Sequence, residues 1–311
     1  MKFQYKCLLQ RFFSCVPHGH YLNYAMQRYI TKSLPQSENS FKKRWENVIK
    51  HCDFFRQFSD KPIENANCYE FGAGWDLMFP LSFSALGFSD IYCVDIRPLV
   101  ATSLINHNID FITKQLEITD KYHVKIDRGG GYGENILAHN LKKDLVDKYR
   151  IHYYAPMDAQ KTNIPDASID FFYSNMTLEH IPSEIIIPIL KESHRILSPD
   201  GVFSAVIDYS DHWSHFDQSI TQYNYLKFST NEWQKYNPSL QYQNRLRHSD
   251  YIRFFEQSGF EILNEEKFYP DQNQIELLKT LPLAQEFQKY TFDDLSITGC
   301  WIAGKKKKRI I

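Results

Sequence analysis

The stretch CYEFGAGWDLMFP, from Cys68 to Pro80, decides the fold. It begins as a short apolar strand, breaks at Gly72 and Gly74, and continues with the pattern of a helix. Glycine at such a corner permits backbone angles that are closed to other residues, and it lets a ligand approach the main chain. The helix that follows offers unpaired N–H groups to a ligand. The stretch therefore predicts a strand–turn–helix unit that binds a nucleotide-like ligand.

From Asn67 onward the chain alternates between strand and helix patterns. The predicted strands are NCYEF, IYCVDI, IHYYAP, SIDFFYSN, VFSAVIDY, the run after Gly259 and SITGCWIAGK. Helical patterns separate most of them, and Pro80 is expected to disturb the first of these helices near its start. Alternation at this spacing implies right-handed βαβ units. We therefore predict an α/β fold with a Rossmann-like, seven-stranded, mostly parallel sheet and helices on both faces.

Segments outside this alternation divide the chain. Residues 1–60 have helical periodicity and predict an N-terminal helical cap, whereas residues 61–305 predict the α/β domain. Within that domain, residues 209–247 form a polar, aromatic and histidine-rich insert after the fifth strand. A flexible loop is predicted at Gly129–Gly133. Residues 306–311 are expected to form a solvated basic tail.

Composition limits the classes of protein to consider. The 311 residues are 43% hydrophobic and 23% charged, which is ordinary for a globular protein, and the net charge of -1 argues against nucleic acid as a partner. The six cysteines include no C-x-x-C pair, which is typical of a reduced intracellular protein. No secretory signal and no apolar run of roughly 18 residues is evident. We expect a cytoplasmic protein, with peripheral membrane contact through its basic N-terminal helices left open.

The details of the glycine corner select among nucleotides. A dinucleotide fingerprint needs a third glycine, but residue 77 is Leu77, which counts against a nicotinamide or flavin cofactor. A phosphate-binding G-K-[ST] loop is also missing from the sequence. The pattern that remains is an acid followed by two alternate glycines: Glu70, Gly72 and Gly74.

Four further matches follow in order along the chain. Asp95 ends the second predicted strand, 23 residues after Gly72, where an acid can accept hydrogen bonds from ribose hydroxyls. Asp158 follows the third strand, Asn175 ends the fourth, and HRILSPDGVF leads into the fifth. The set resembles the motifs of class I S-adenosylmethionine-dependent methyltransferases over roughly Asn67 to Tyr209. It most resembles the branch with an LEH loop, here Leu178, Glu179 and His180.

The resemblance implies S-adenosylmethionine as cofactor and assigns roles to these residues. It implies that Asp95 binds the ribose, that Asp158 accepts from the adenine amino group, and that Asn175 meets the methionine half. Glu70 is expected to orient the glycine loop or to sense the amino group. The expected cofactor-binding residues are Glu70, Gly72, Ala73, Gly74, Asp95, Ile96, Met157, Asp158, Ala159 and Asn175. Two departures from the family are Asp76, in place of a third glycine, and the long segment between Asp95 and Ile151.

Candidate residues for the chemistry lie near the fourth strand and in the insert. His180 is the candidate general base, because its reference pKa suits proton transfer near neutral pH. The resemblance implies that the insert forms a lid over the acceptor, with these candidate substrate-binding residues: Tyr209, His212, His215, Arg245 and Arg247. We expect no metal, because DHWSHFD lacks a recognised ligand spacing.

The leading hypothesis is methyl transfer from S-adenosylmethionine to oxygen or nitrogen of a small-molecule or glycan-like acceptor. One alternative is a regulatory module that binds the cofactor without turnover, since a fold does not guarantee an activity. Another is an NAD-dependent oxidoreductase on a related sheet, which Leu77 disfavours. A nucleic-acid methyltransferase is disfavoured because the basic runs are confined to the two ends of the chain, Lys42–Arg44 and Lys305–Arg309. The oligomeric state is left open by the sequence.

Overall fold

A single sheet organises the part of the chain that the computed structural model describes, residues 2–118 and 133–307. Its strands lie in the order β3-β2-β1-β4-β5-β7-β6. The strands are β1 Cys68–Phe71, β2 Ile91–Val94, β3 Ile151–Tyr154, β4 Ile169–Asn175, β5 Leu197–Asp208, β6 Phe260–Phe268 and β7 Gly299–Lys306. Strand β7 runs antiparallel to β5 and β6, whereas the pairs from β3 to β5 are parallel. The predicted α/β fold with a mostly parallel, seven-stranded sheet is confirmed.

The helices connect and flank these strands. They are α1 Phe3–Cys15, α2 Gly19–Ala25, α3 Glu38–Phe58, α4 Met78–Ala85, α5 Thr102–Ile118, α6 Leu141–Tyr149, α7 Ser183–Ile196, α8 Thr230–Trp233, α9 His248–Gln257, α10 Gln272–Lys279 and α11 Phe292–Ser296. Pro80 is the third residue of α4, where no intrahelical donor is needed. Helix α4 therefore begins only at Met78, and Leu77 just before it has a left-handed φ of 47°. This late start is the disturbance that Pro80 predicts.

The N-terminal helices differ in what they pack against. Helix α3 buries Trp45, Val48 and Phe55 in the same core as Cys68 of β1 and Phe171 of β4. This helix is therefore a layer of the α/β core. Helix α1 instead packs against the insert and the segment between β6 and β7, where its buried residues join a separate cluster that contains Phe3, Cys7, Trp213, Tyr223, Tyr225, Leu226, Trp233, Leu278, Phe287 and Leu295.

A buried histidine joins α3 to the sheet. His51 is 0% exposed, and its Nδ1 lies 2.5 Å from the hydroxyl of Ser204 in β5. Five aromatic rings surround it, with centroids 4.7 to 6.5 Å away: Phe79, Phe83, Phe171, Tyr173 and Trp301. Burial lowers the pKa of His51 to about 3, so the ring is neutral at physiological pH.

Several predictions concern residues at the edges of the described ranges. Of the predicted loop at Gly129–Gly133, only Gly133 lies within the described residues. Residues 308–311 of the predicted tail also lie outside them, whereas Lys306 belongs to β7. In the described part of the chain, each helix is too short or too polar to cross a bilayer.

Candidate functional site

A cavity of about 420 Å³ opens at the carboxyl ends of β1, β2, β3 and β4. Ligands of open α/β sheets bind at this edge. The lining residues are Phe71, Gly72, Val94, Asp95, Ile96, Arg97, Met157, Asp158, Ala159, Gln160, Thr177, His180, Ile181, Pro182, Ile185, Ile189, Ser239 and Tyr242. Seven of the predicted site residues are among them: Gly72, Asp95, Ile96, Met157, Asp158, Ala159 and His180.

The glycine corner forms one wall of this cavity. Gly72 has a φ of +75°, and a Cβ at this position would lie 2.6 Å from Cγ2 of Thr177. Gly74 has a φ of +69° and lies behind the wall. The main chain at Gly72 is therefore bare toward the cavity, and a side chain here would both strain the backbone and collide with the loop after β4.

Asp95 is fixed at the centre of the site by two main-chain donors. Its Oδ2 accepts from the N–H of Gly74 at 3.1 Å, and its Oδ1 accepts from the N–H of Arg97 at 3.0 Å. The side chain is only 7% exposed, and this burial raises the carboxyl pKa above its ordinary value. Each carboxylate oxygen has a further lone pair, so Asp95 can still accept bonds from a pair of vicinal hydroxyls.

The loop after β3 supplies a second acid and two apolar contacts. Asp158 is exposed, and its carboxylate accepts from the main-chain N–H of Gln160 at 2.9 Å and from the Gln160 amide at 3.1 Å. The N–H of Met157 donates to the carbonyl of Asp95 at 2.8 Å, which ties this loop to the end of β2. A flat aromatic ring between Met157 and Ala159 would have Asp158 as a hydrogen-bond acceptor at its edge.

Four predicted cofactor contacts lie outside the cavity lining: Glu70, Ala73, Gly74 and Asn175. Glu70 is 4% exposed and accepts from the Tyr173 hydroxyl at 3.0 Å, and burial raises its carboxyl pKa to about 8. Asn175 accepts from the side-chain amide of Asn47 in α3 at 3.1 Å. These two side chains and Ala73 are not part of the described cavity lining. The roles expected for Glu70, Ala73 and Asn175 at the cofactor stay predictions.

Asp76 replaces the third family glycine and forms a structural tie. Its carboxylate accepts two hydrogen bonds from the guanidinium of Arg44, at 2.5 and 3.0 Å, and one from the N–H of Met78 at 3.2 Å. Burial alone would raise its pKa, but the charge and hydrogen bonds of Arg44 outweigh burial and lower it. The ion pair joins α3 to the start of α4, so Asp76 stabilises the turn without a third glycine.

His180 stands at the other end of the cavity with one ring nitrogen engaged. Its Nδ1 lies 2.7 Å from the carbonyl oxygen of Tyr242, so Nδ1 carries the proton and Nε2 keeps a lone pair. The ring is exposed at the cavity opening, yet desolvation by the surrounding walls, together with the neighbouring His212, lowers its pKa. A neutral imidazole with a free Nε2 is the form that can take a proton from an acceptor.

Two predicted substrate residues extend this end of the site. The His212 ring centroid lies 5.0 Å from that of His180, and its Nε2 lies 3.3 Å from Oδ2 of Asp208. His215 stacks on His212 at 5.4 Å. Asp208 also lines a smaller cavity, of about 210 Å³, between the ends of β4, β5 and β7. The histidines therefore lie between the two cavities without lining the larger one.

Ligand-type atoms of Glu179, His180 and His212 lie within 4.8 Å of one another, and no other such triad with metal-ligand spacing occurs in residues 2–118 and 133–307. These side chains could ligate a divalent cation. In a tetrahedral zinc site the ligand atoms are about 3.3 Å apart. The expectation of no metal stays a prediction.

The side chains of the other three predicted substrate residues bond to other residues of the protein. Tyr209 is 1% exposed, and its hydroxyl lies 3.2 Å from Nδ1 of His248. Arg245 bonds to the carbonyl of Tyr225 at 3.0 Å and pairs with Glu286. Neither side chain lines either of the two cavities, and their assignment as substrate contacts stays a prediction.

Arg247 is the most fully buried of these three residues. It is 0% exposed and donates to the carbonyls of Tyr209 at 2.9 Å, Leu295 at 3.0 Å and Ile297 at 2.5 Å, and to the Tyr225 hydroxyl at 2.7 Å. A guanidinium with four internal acceptors has no face for an acidic substrate. Its role is to join the insert to the segment before β7.

Some cavity residues were not predicted from the sequence. Thr177, Ile181, Pro182, Ile185 and Ile189 come from the segment that follows β4 and from α7. The pattern LEHIPSEIII carried a signal, because its apolar residues continue past the LEH loop on the side that faces the fourth strand. Ser239 and Tyr242 come from the insert and have no local motif.

Comparison with known proteins gives one family match and several similar solved structures. The family model described as a methyltransferase domain matches residues 44–265. Among curated proteins, nothing matches the chain. Similar solved structures include the geranyl diphosphate C-methyltransferase of Streptomyces coelicolor A3(2), at 12% identity over 88% of this chain and 86% of that one, with a TM-score of 0.47.

Two further solved structures have similar scores. The S-adenosylmethionine-dependent methyltransferase of Mesorhizobium loti is 14% identical over 82% of this chain and 96% of that one, with a TM-score of 0.44. An S-adenosylmethionine-dependent methyltransferase of Methanosarcina mazei is 13% identical over 81% of this chain and 96% of that one, with a TM-score of 0.43.

Proposed function

Because the chain belongs to the methyltransferase-domain family and is a class I S-adenosylmethionine-dependent enzyme, we propose that it methylates an oxygen or nitrogen of a small-molecule or glycan-like acceptor. The observation that carries this proposal is the cavity between Gly72, Asp95 and His180. This one cavity combines a glycine main chain without a side chain, a buried carboxylate that can accept hydrogen bonds from ribose, and a neutral imidazole.

The residues of the cavity fit the cofactor. Asp95 would accept from the ribose hydroxyls, Asp158 from the adenine amino group, and Met157 and Ala159 would contact the adenine ring. The main chain at Gly72 would pass beside the methionine half, while Glu70, Ala73, Gly74 and Asn175 shape that wall from behind. S-adenosylmethionine supplies a methyl group already activated by the positive sulfur.

The residues at the acceptor end of the site would align the acceptor with the methyl group and remove its proton. Holding the acceptor atom in line with the methyl group can supply on the order of 7–11 kcal/mol of the barrier. His180 would take the proton of an acceptor hydroxyl at Nε2, while its Nδ1–H bond to Tyr242 fixes the tautomer. His212 and His215 would border the acceptor side, and the carboxylate of Asp208 would stabilise the imidazolium that results.

The test combines cofactor binding with turnover. Thermal unfolding should shift upward with S-adenosylhomocysteine and stay unchanged with NAD, because binding to the folded state alone stabilises it. Incubation with isotopically labelled cofactor and a metabolite extract should then label a product that mass spectrometry identifies. Stabilisation by NAD alone would favour the oxidoreductase, and cofactor binding without labelling of any acceptor would favour the regulatory module.

The proposed cellular location rests on the sequence. A cytoplasmic location is proposed from the cysteine pattern, since all six thiols are free. Five of them are buried, and Cys15 is exposed. Nucleic acid is not proposed as a partner, because the net charge of the chain is -1.

A further inference from the structure

Helix α1 has two apolar faces, and only one is covered. Phe3 and Cys7 lie on the inner face, packed against the insert. The outer face consists of Tyr5, Leu8, Leu9 and Phe12, which are 65%, 63%, 38% and 62% exposed. Their spacing of three, four and seven residues places them in one stripe along the helix. The stripe is therefore a continuous apolar surface that the described protein leaves in solvent.

The helical segment that follows adds to this surface. Tyr21, Leu22, Tyr29 and Ile30 are 52%, 43%, 71% and 76% exposed. Of the 19 large hydrophobic residues that are exposed in the described ranges, eight lie in these first 30 positions. Single exposed apolar residues are normal, but a concentration of this kind marks an interaction site. We call these eight residues the N-terminal apolar face.

The charged residues within the segment that carries this face all have one sign. Residues 1–37 contain five basic residues and no aspartate or glutamate: Lys2, Lys6, Arg11, Arg28 and Lys32. The first acid of the chain is Glu38, at the start of α3. Lys6 is turned inward over the Phe216 ring, and Arg11 donates to the carbonyl of Lys235. The basic character at the surface comes chiefly from the exposed residues Lys2, Arg11 and Lys32, with Arg28 half-buried.

We propose that the N-terminal apolar face docks on an anionic membrane surface. Amphipathic helices with basic flanks bind at the headgroup boundary, where buried apolar area and attraction to anionic lipids add together. Tyrosine suits this boundary because its ring is apolar and its hydroxyl is polar, and three of the eight residues are tyrosines. A second copy of the chain is the poorer occupant, because a two-fold contact would oppose two basic, acid-free surfaces.

The docked face would lie beside the mouth of the cavity. The Ser14 hydroxyl of α1 accepts from the N–H of Leu240, at 3.4 Å, and the neighbours Ser239 and Tyr242 line the cavity. On the premise of the proposed function, the acceptor is then an amphiphile that is reached from the membrane surface. Docking itself does not need the cofactor, so it can be tested apart from methyl transfer.

The experiment is flotation of the full chain with lipid vesicles. One set of vesicles is phosphatidylcholine alone, and the other contains about one third phosphatidylglycerol. The test variant is Leu8→Gln with Phe12→Gln. The matched control is Leu277→Gln with Phe292→Gln, which are 45% and 46% exposed outside the N-terminal apolar face. Because all four side chains are exposed, none of the changes opens a cavity in a core.

The wild type should float with the anionic vesicles at least tenfold more than with the neutral ones, and less at high salt. The Leu8→Gln, Phe12→Gln variant should lose at least tenfold of this binding, whereas the control should keep it. Thermal stabilisation by S-adenosylhomocysteine should be equal in all three proteins, which shows that each is folded. Failure of the wild type to float, or an equal loss in the control, overturns the proposal. A dimer in light scattering that only the Leu8→Gln, Phe12→Gln variant dissociates also overturns it, in favour of a second copy.

Discussion

The main-chain N–H of Gly74 donates to the carboxylate of Asp95 at 3.1 Å, and this bond joins the loop after β1 to the loop after β2. The same carboxylate accepts from the N–H of Arg97. Asp95 is therefore positioned before any ligand enters, because two rigid donors hold its oxygens. A preorganised acceptor of this kind binds a ligand without first ordering its own side chain.

Replacement of Asp95 by alanine should weaken cofactor binding. Loss of charge-assisted hydrogen bonds costs about 1.5–3 kcal/mol, which corresponds to roughly 10- to 150-fold in the dissociation constant. Calorimetric titration with S-adenosylhomocysteine measures the change. Glu256→Ala, an exposed acid on α9, is the matched control and should bind as the wild type does. Unchanged affinity in Asp95→Ala would remove this residue from the ribose site.

Gly72→Ala should destabilise the protein more than Gly87→Ala. Both glycines have positive φ, 75° and 99°, but a Cβ at Gly72 meets Thr177 at 2.6 Å, whereas a Cβ at Gly87 meets nothing within 4 Å. Backbone strain of about 1–2 kcal/mol is common to both changes, and the collision adds to it only at Gly72. Urea unfolding measures the difference. Thr177→Ser removes the colliding methyl group and should restore part of the loss, so a double variant without recovery contradicts the collision.

His180→Gln should abolish most turnover while it leaves cofactor affinity unchanged. Loss of a general base lowers the rate by about 10²- to 10⁴-fold. Because desolvation lowers the pKa of His180, the base stays neutral below its ordinary titration range. The rate should therefore hold as pH falls through about 6.5 and should drop only at lower pH. A rate that already falls above pH 6.5, or a variant with full turnover, would exclude His180 as the base.

His51 should make the protein less stable in acid. Its pKa is about 3 when folded and about 6.5 when unfolded, so only the unfolded chain gains a proton between these values. Stability is complete above pH 6.5 and is lost as pH falls, by about 2 kcal/mol at pH 5. Denaturant unfolding at pH 7 and pH 5 measures this change. His51→Gln should show a smaller change between the two pH values, and an equal change would assign the acid sensitivity to other groups.

Arg247→Met should destabilise the fold without affecting the cofactor site. The change leaves the buried carbonyls of Tyr209, Leu295 and Ile297 without their donor, and removing one partner of such a network costs about 3–5 kcal/mol. Chemical unfolding gives the loss, and titration below the unfolding transition gives the affinity for S-adenosylhomocysteine. A stable variant with weakened catalysis would instead support the original assignment of Arg247 to the substrate.

Local patterns were sufficient to predict the strand ends that form the cavity. Gly72, Asp95 and Asp158 each follow a strand directly, and the carboxyl ends of parallel strands meet at one edge whatever the distant packing. The direction of the other side chains depends on partners far away in the chain. Glu70 is turned by Tyr173 and Asn175 by Asn47, and no local pattern encodes either pair.

The segment between β6 and β7 shows a second limit of prediction. Helices α10 and α11 are short, and their buried residues Leu278, Phe287 and Leu295 pack on the insert instead of on the sheet. A short helix is stabilised mainly by such tertiary contacts, so its own sequence gives little signal. Arg245 and Arg247 could be interpreted as substrate contacts for the same reason, since some of their acceptors, Glu286, Leu295 and Ile297, lie in this segment.

The internal hydrogen bonds of Arg247 also restrict the motion of the insert. Arg247 joins the insert by hydrogen bonds to the end of β5 and to the residues just before β7. A hinge motion of the insert would expose this buried cation and break its four hydrogen bonds. These bonds therefore oppose a hinge motion of the insert, while Ser239 of the cavity lining is exposed to solvent.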